Sequence, residues 1–204
     1  MSKTYTDRTI FVKEIWLKLL LYGSRDFAAT INELARHCGH EVVGMVDDYN
    51  TGSGILGSLI QVAASHSPQH YGMVLAIGYK NLAARWQAWR RIVEYGYETP
   101  KLIHPLAYVA DTSSIGVGSM IMAGALVDTR VNIGEATVLW PRACVNHDVC
   151  IGDNSFISPN ATICGAVTIG SHSFIGAGAV VVDHATVSPG SFVKAAERYT
   201  GHNT

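Results

Sequence analysis

A strict six-residue repeat fills the second half of this 204-residue sequence and constrains its fold more than any other feature. From Ile103 to Val193, in steps of six, all sixteen positions are Ile, Val or Leu. A second set of positions lies two residues before each of the last fifteen of these, starting with Ala107 and ending with Ser191. All fifteen are Ala, Ser, Thr or Val. Neither a helix nor an ordinary alternating strand produces this spacing. The repeat predicts short strands, each with one inward aliphatic side chain, joined by corners.

Ile-Gly pairs add a second period of eighteen residues, at Ile115-Gly116, Ile133-Gly134, Ile151-Gly152 and Ile169-Gly170. Because eighteen is three sixes, one coil has three flat sides. A glycine that recurs at one edge suits a corner where the backbone is crowded or needs a positive φ. The sequence therefore predicts a triangular parallel β-helix of about five coils, stacked at the inter-strand spacing of roughly 4.8 Å.

The first half of the chain has a different pattern. Apolar runs predict strands at 15–22, 42–46 and 73–77, and helical stripes predict helices at 26–40 and 81–95. This order is typical of a small parallel α/β unit. Such sheets bind ligands beyond the carboxyl ends of their strands. Here those ends are Gly23-Ser24, Asp47-Asp48 and Gly78-Tyr79. We place the domain boundary between residues 98 and 99, in a linker that contains Thr99-Pro100 and His104-Pro105.

Composition excludes several classes of protein. The net charge is −1, so no basic field favours nucleic-acid binding. No apolar run approaches the roughly 20 residues of a membrane span. Residues 1–14 lack the apolar core and cleavage site of a signal peptide. The four cysteines have no CxxC spacing. We therefore expect a reduced, cytoplasmic protein.

Two apparent cofactor motifs are weak. Gly52-x-Gly54-x-x-Gly57 resembles a dinucleotide fingerprint, but it follows the second strand rather than the first, so we interpret it as a flexible loop and expect no NAD site. His147, His172 and His184 lie on the β-helix at separations of 25 and 12 residues, which are unlike metal-ligand spacings. We expect no metal.

The candidate chemistry lies at Asn146-His147-Asp148, between two inward valines of the repeat. His147 therefore points outward, where it can titrate, and an adjacent carboxylate suits a histidine that accepts a proton near neutral pH. A solvated surface histidine is the alternative. Asp47-Asp48 could accept hydrogen bonds from a ribose or a base, or could form a solvated acidic turn.

Several motifs together resemble the bacterial sugar acyltransferases related to sialic-acid O-acetyltransferase and the bacillosamine-pathway N-acetyltransferase. They are Met45-Val46-Asp47-Asp48, Ala76-Ile77-Gly78, Leu102-Ile103-His104-Pro105 and Asn146-His147-Asp148 with Ile151-Gly152-Asp153. The resemblance implies that the β-helix is left-handed and binds acetyl-CoA, and that the N-terminal domain binds a nucleotide sugar. It also implies a homotrimer with active sites between subunits.

The resemblance assigns roles residue by residue. His147 matches the general base and Asp148 the acid that raises its basicity. Gly165 matches a glycine whose amide contacts the thioester carbonyl, and Ala177 and Ala195 fall among the acyl-donor positions. The implied substrate-binding residues are Gly23, Ser24, Asp47, Asp48, Gly78 and Trp140.

The expected function is transfer of an acetyl group from acetyl-CoA to the amino group of a nucleotide-linked amino sugar, for a bacterial surface polysaccharide or glycan. Three alternatives stay open at this point. They are acetylation of a sugar hydroxyl, transfer of another acyl group, and a non-catalytic nucleotide-binding trimer.

Overall fold

The computed structural model describes residues 17–201. Its first half is a four-stranded parallel sheet of order β3-β2-β1-β4. The elements in chain order are β1 Lys18–Tyr22, α1 Asp26–His37, β2 Glu41–Val46, β3 Ile55–Gly57, α2 Leu59–Ser65, β4 Gly72–Leu75 and α3 Leu82–Glu94. Residues 15 and 16 of the first predicted strand, and segment 1–14, for which no signal peptide was expected, lie outside the described residues.

The predicted helices and strands of this half are present, with shorter helices. Helix α3 begins after Asn81, whose side chain accepts a hydrogen bond of 2.9 Å from the Ala84 amide. The loop interpretation of residues 52–57 was wrong at its end, because Ile55–Gly57 forms an edge strand and α2 follows it. Three residues are too few to show the alternation that identifies a strand.

The second half is a left-handed parallel β-helix with three faces, as predicted. All its strands have two residues and pair with strands eighteen residues away. The first face contains Leu102–Ile103, Met120–Ile121, Val138–Leu139, Phe156–Ile157, Phe174–Ile175 and Phe192–Val193; the second contains Tyr108–Val109, Leu126–Val127, Cys144–Val145, Thr162–Ile163, Val180–Val181 and Arg198–Tyr199; the third contains Ser114–Ile115, Asn132–Ile133, Cys150–Ile151, Thr168–Ile169 and Thr186–Val187.

The second residue of each strand from Ile103 to Val193 packs in the β-helix core. These are the sixteen aliphatic positions of the repeat. Gly134 and Gly152, from the Ile-Gly pairs, do not have positive φ. A Cβ at Gly152 would lie 2.5 Å from the Ser171 amide of the next coil. Crowding between stacked coils therefore explains the eighteen-residue glycine period.

The corners between faces are four residues long, and we number them in chain order. In the central coil the first corner is 140–143, the second 146–149 and the third 152–155. The third residue of each of these corners is left-handed, with φ of 64° at Arg142, 61° at Asp148 and 55° at Asn154. The fold repeats this left-handed position in every corner from Gly118 to Ala196, although not at Leu106 or Thr112, and side chains at equivalent corner positions stack eighteen residues apart.

The N-terminal domain packs on the first face. Outward side chains of that face, Leu102, Met120, Val138 and Phe156, share one apolar cluster with β1, β4 and α1. Arg85 of α3 is fully buried at this junction and donates to the carbonyl oxygens of Ile77, at 2.9 Å, and Ala136, at 2.6 Å. It also donates to the Asn154 side chain at the third corner. These contacts fix the domain against the first face. Within residues 17–201, no helix is long and apolar enough to cross a membrane.

Candidate active site

The second corner carries a histidine–carboxylate pair. His147 Nδ1 lies 2.8 Å from Asp148 Oδ2, and more than half of the His147 side chain is exposed. Because Asp148 faces Nδ1, the neutral imidazole keeps its proton on Nδ1 and leaves Nε2 free to accept one. The backbone reason is local: the left-handed conformation of Asp148 turns its side chain back toward its neighbour. This geometry suits a general base.

Gly165 lies directly against the His147 ring, on the next coil. A Cβ on Gly165 would lie 2.7 Å from His147 Cε1 and 2.8 Å from Nε2, so only glycine leaves room for the imidazole. The Gly165 amide donates a hydrogen bond of 2.8 Å to Asp183 Oδ1. The amide predicted to contact a thioester carbonyl is thus beside the base, but it is already paired with a carboxylate in this structure.

The carboxyl ends of β1, β2 and β4 surround a cavity of about 780 Å³. Five of the six residues predicted to bind substrate line it: Gly23, Ser24, Asp47, Asp48 and Gly78. Position 23 requires glycine, because its φ is 123° and a Cβ there would lie 2.5 Å from the Ala76 carbonyl oxygen. The cavity lies where a parallel sheet of this order binds ligands.

Asp47 organises the loop beside the cavity. Its carboxylate accepts hydrogen bonds from the Ser24 hydroxyl at 2.6 Å and from the Tyr49 and Asn50 amides at 2.9 Å. Burial raises the pKa of Asp47, but the hydrogen bonds from Ser24, Tyr49 and Asn50 outweigh it and hold that pKa below its usual value. Asp47 is therefore ionised and fully engaged.

Asp48 belongs to a second network, with Tyr22 and Arg91. The Tyr22 hydroxyl donates to Asp48 Oδ2 at 2.5 Å and accepts from Arg91 Nη1 at 2.6 Å, while Arg91 also pairs with Asp48. Burial raises the pKa of Asp48, but the bonds from Tyr22, the Leu59 amide and Arg91 hold it below its usual value. Burial, followed by the Asp48 bond, raises the pKa of Tyr22. Asp48 thus anchors Arg91 at the cavity wall.

The remaining predicted residues lie at the first corner. The centroid of the Trp140 ring lies 5.7 Å from that of the Phe27 ring. Phe27 lines the cavity, whereas Trp140 is not among the described residues that line it. Ala177 and Ala195 are exposed and stack eighteen residues apart. Ala195 lines a shallow cavity of about 600 Å³ with Phe192 and Lys194.

The predicted residues therefore form three separate groups in one chain. His147, Asp148 and Gly165 are at the second corner; Trp140, Ala177 and Ala195 are at the first corner; and the remaining five are at the edge of the N-terminal sheet. Since the N-terminal domain covers the first face, the second corner lies on the opposite side of the β-helix. The structure does not bring the three groups together within one chain.

Three polar residues of these sites were missed by sequence analysis. Tyr22 and Arg91 reach Asp48 from 26 and 43 residues away, and no pattern in the sequence joins them. Arg130 pairs with Asp148 and did carry a signal, because it precedes Asp148 by eighteen residues, one coil. In the described part of the chain, no group of three His, Cys, Asp or Glu side chains is arranged to hold a metal ion.

Comparisons with known proteins agree with this architecture. The model of the PglD N-terminal domain matches residues 18–92, and the bacterial transferase hexapeptide model (six repeats) matches 130–165 and 151–183. The acetyltransferase domain of PglB from Neisseria gonorrhoeae is 30% identical, with a TM-score of 0.80, over 87% of this chain and 88% of that one. The chain belongs to the hexapeptide-repeat sugar acetyltransferases.

Two structures similar to this chain contain ligands. The same PglB domain in complex with acetyl coenzyme A is 30% identical, with a TM-score of 0.80, over 88% of this chain and 89% of that one. A histidine-to-alanine mutant of GDP-perosamine N-acetyl transferase from Caulobacter crescentus, in complex with CoA and GDP-perosamine, is 26% identical. Its TM-score is 0.81, over 87% of this chain and 86% of that one. A comparison with curated proteins gives no match.

Proposed function

We propose that this protein transfers an acetyl group from acetyl-CoA to the amino group of a nucleotide-linked amino sugar. The observation that carries the proposal is the His147–Asp148 pair over Gly165, on a β-helix joined to a domain with a cavity at its sheet edge. The similarity to an acetyltransferase domain solved with acetyl-CoA, and to an N-acetyltransferase solved with GDP-perosamine, supports both substrates.

His147 is the general base of the proposed reaction. As the amino nitrogen attacks the thioester carbonyl carbon, Nε2 accepts the proton that the nitrogen loses. Asp148 stabilises the imidazolium through Nδ1. The C–S bond breaks, and the CoA thiolate leaves and takes up the proton from His147. The products are the N-acetylated sugar and free CoA thiol.

Gly165 is proposed to donate its amide to the developing oxyanion. Such donors commonly lower a barrier by a few kcal/mol. The bond from the Gly165 amide to Asp183 must open for this role, so Asp183 has to turn away when the acyl donor binds. We place the rest of the donor along Ala177 and Ala195.

The nucleotide part of the acceptor is proposed to occupy the cavity of the N-terminal domain. The oxygens of Asp47 and Asp48 already accept hydrogen bonds from protein donors, so their main role is to hold the Ser24 turn and Arg91 in place. Groups free to contact the nucleotide are the Gly23-Ser24 turn, the backbone near Gly78 and the remaining guanidinium donors of Arg91. Trp140 is proposed to contact the sugar.

The proposed assembly is a homotrimer with sites between subunits. Because His147 and the cavity of one chain lie on opposite sides of the β-helix, one substrate cannot reach both in a monomer. The second face, which joins the first and second corners, exposes Tyr108 at 58%, Leu126 at 38% and Val180 at 37%. Four of the six outward residues of this face are apolar, the others being Thr162 and Arg198, and such a surface favours contact with another copy.

A cytoplasmic location is also part of the proposal. Cys38, Cys144, Cys150 and Cys164, all within the described residues, form no disulfide, which is the state kept by a reducing compartment. Neither a nucleic acid nor a metal has a role in the proposed reaction.

The test is release of free CoA thiol from acetyl-CoA against a panel of nucleotide-linked amino sugars. We expect release with one of these sugars, and a fall of roughly 10²–10⁴ in kcat for His147→Ala. His70→Ala removes an exposed histidine outside the cavity and is the matched control. Near-normal turnover in His147→Ala would sink the mechanism. A folded trimer that releases no thiol with any sugar would contradict the proposed function and favour another acyl donor or a binding role.

A further inference from the structure

Arg130 forms the third member of a row of charged side chains at the second corner. It lies one coil before Asp148. Its Nε is 2.6 Å from Asp148 Oδ1 and its Nη2 is 2.8 Å from Asp148 Oδ2. Asp148 Oδ2 also accepts a hydrogen bond of 2.8 Å from His147 Nδ1. The row therefore runs from guanidinium to carboxylate to imidazole, with no gap.

The backbone explains how the row forms. Arg130 and Asp148 occupy the same left-handed corner position on successive coils, with φ of 58° and 61°. Left-handed backbone is uncommon for residues other than Gly, Asn and Asp. Two stacked residues with this backbone project side by side, which allows a bidentate pair between an arginine and a carboxylate.

Resting on the proposed function, we propose that Arg130 is a positioning residue for acetyl transfer. Its guanidinium holds the Asp148 carboxylate in the orientation that accepts a hydrogen bond from His147 Nδ1, and it places a positive charge beside the His147–Asp148 pair.

Both effects follow from the contacts. A bidentate guanidinium fixes the plane of a carboxylate, whereas a carboxylate held only by an imidazole rotates about χ2. Arg130 first, and then His147, hold the pKa of Asp148 well below its usual value. Part of the carboxylate charge is thereby balanced by Arg130, so less of it stabilises the imidazolium. The other titratable groups on this side of the β-helix are Asp128 on the Arg130 coil and, three coils beyond it, Asp183 and His184; the two carboxylates oppose the field of Arg130.

The experiment compares Arg130→Gln, Arg130→Lys and a control, Arg142→Gln. Arg142 is an exposed arginine with φ of 64° at the first corner, so its substitution disturbs the backbone to the same degree without touching the row. The readouts are the pH profile of kcat/KM and the titration midpoint of the His147 imidazole, followed by NMR of histidine-labelled protein and assigned with His147→Ala.

We expect Arg130→Gln to move two quantities upward by about half to one pH unit: the acid limb of the kcat/KM profile and the NMR titration midpoint of His147. The reason is that a positive charge near the base is lost. Arg130→Lys keeps the charge, so the acid limb and the NMR midpoint stay near their wild-type values. Its kcat falls by about tenfold, because the bidentate contact is lost. Arg142→Gln changes neither.

An unchanged limb and midpoint in Arg130→Gln would overturn the inference. The NMR midpoint needs no substrate, so it tests Arg130 even if the wild-type protein acetylates no sugar. A failure of the proposed function is thus distinguishable from a failure of the Arg130 inference.

Discussion

At the scale of single residues, the chemistry of the second corner follows from register. From Gly118 onward the third residue of each corner is left-handed, and at the second corner this conformation lets Asp148 face His147 without any special loop. The next coil must then provide a residue without a side chain beneath the ring, and Gly165 does so. A base, its carboxylate partner and a backbone amide thus meet because they occupy fixed positions in a six-residue repeat.

Gly165→Ala tests this packing. The new methyl group would meet the His147 ring at 2.7 Å, so the ring must leave its position over the amide. We expect kcat to fall by about tenfold or more, with little change in stability, since the ring is exposed and can move into solvent. Gly190→Ala is the control, because its Cβ has nothing within 4 Å and alanine already occupies the equivalent left-handed position at Ala136 and Ala196. Equal activity of the two variants would refute the assigned geometry.

At the scale of elements, α3 joins the two domains through one buried arginine. Arg85 satisfies the carbonyl oxygens of Ile77 and Ala136 and the side chain of Asn154, and its guanidinium lies 4.8 Å from the Phe156 ring centroid. Burial lowers the pKa of Arg85 to about 9. A buried charge without a carboxylate partner is costly, so the carbonyl oxygens and the ring must supply the compensating interactions.

Arg85→Ala is expected to lower the free energy of unfolding by about 3 kcal/mol or more, because two buried acceptors and one half-buried acceptor lose their donor and a cavity forms. Arg90→Ala, on the same helix, removes an exposed arginine that forms a 3.6 Å pair with Glu94, and it should change stability by less than about 0.5 kcal/mol. Urea denaturation at one fixed protein concentration measures both. Similar losses in the two variants would show that Arg85 does not join the domains.

Elements were predictable from the sequence where one pattern repeated. They were not predictable where an element was too short to show a pattern. The β-helix was predicted residue by residue, because each aliphatic position meets the same environment in every coil. The edge strand Ile55–Gly57 and helix α2 were not, since three and seven residues give no clear period. Their positions depend on tertiary contacts, such as the packing of Leu56 against Gly44.

The candidate site divides in the same way. The eighteen-residue offset that places Gly165 beside His147 also places Arg130 beside Asp148, so the repeat contained both pairs. The Asp48 network could not be read from the sequence, because Tyr22 and Arg91 come from different elements of an irregular domain.

At the scale of the whole molecule, the chain separates its functions in space. The cavity proposed to bind the nucleotide lies at the edge of the N-terminal sheet, over the first face, and His147, the proposed base, lies at the opposite corner. A cavity and a base that face away from each other in one chain can serve one substrate only if neighbouring chains supply them. Association is therefore part of the catalytic design in this account.

The most direct test of that account is complementation between two inactive variants that are co-expressed with different tags. One is His147→Ala. The other is Gly78→Trp, which fills the cavity without a backbone clash, because a Cβ at Gly78 has its nearest neighbour, in Phe27, at 3.8 Å. If each site takes its base and its cavity from different chains, random mixing in equal amounts leaves about one quarter of the sites intact. Each trimer that contains both variants has one such site of three, so we predict that the isolated hybrids regain roughly a third of wild-type thiol release, while each variant alone stays inactive. Hybrids as inactive as their parents, from trimers that contain both tags, would contradict a site built between chains.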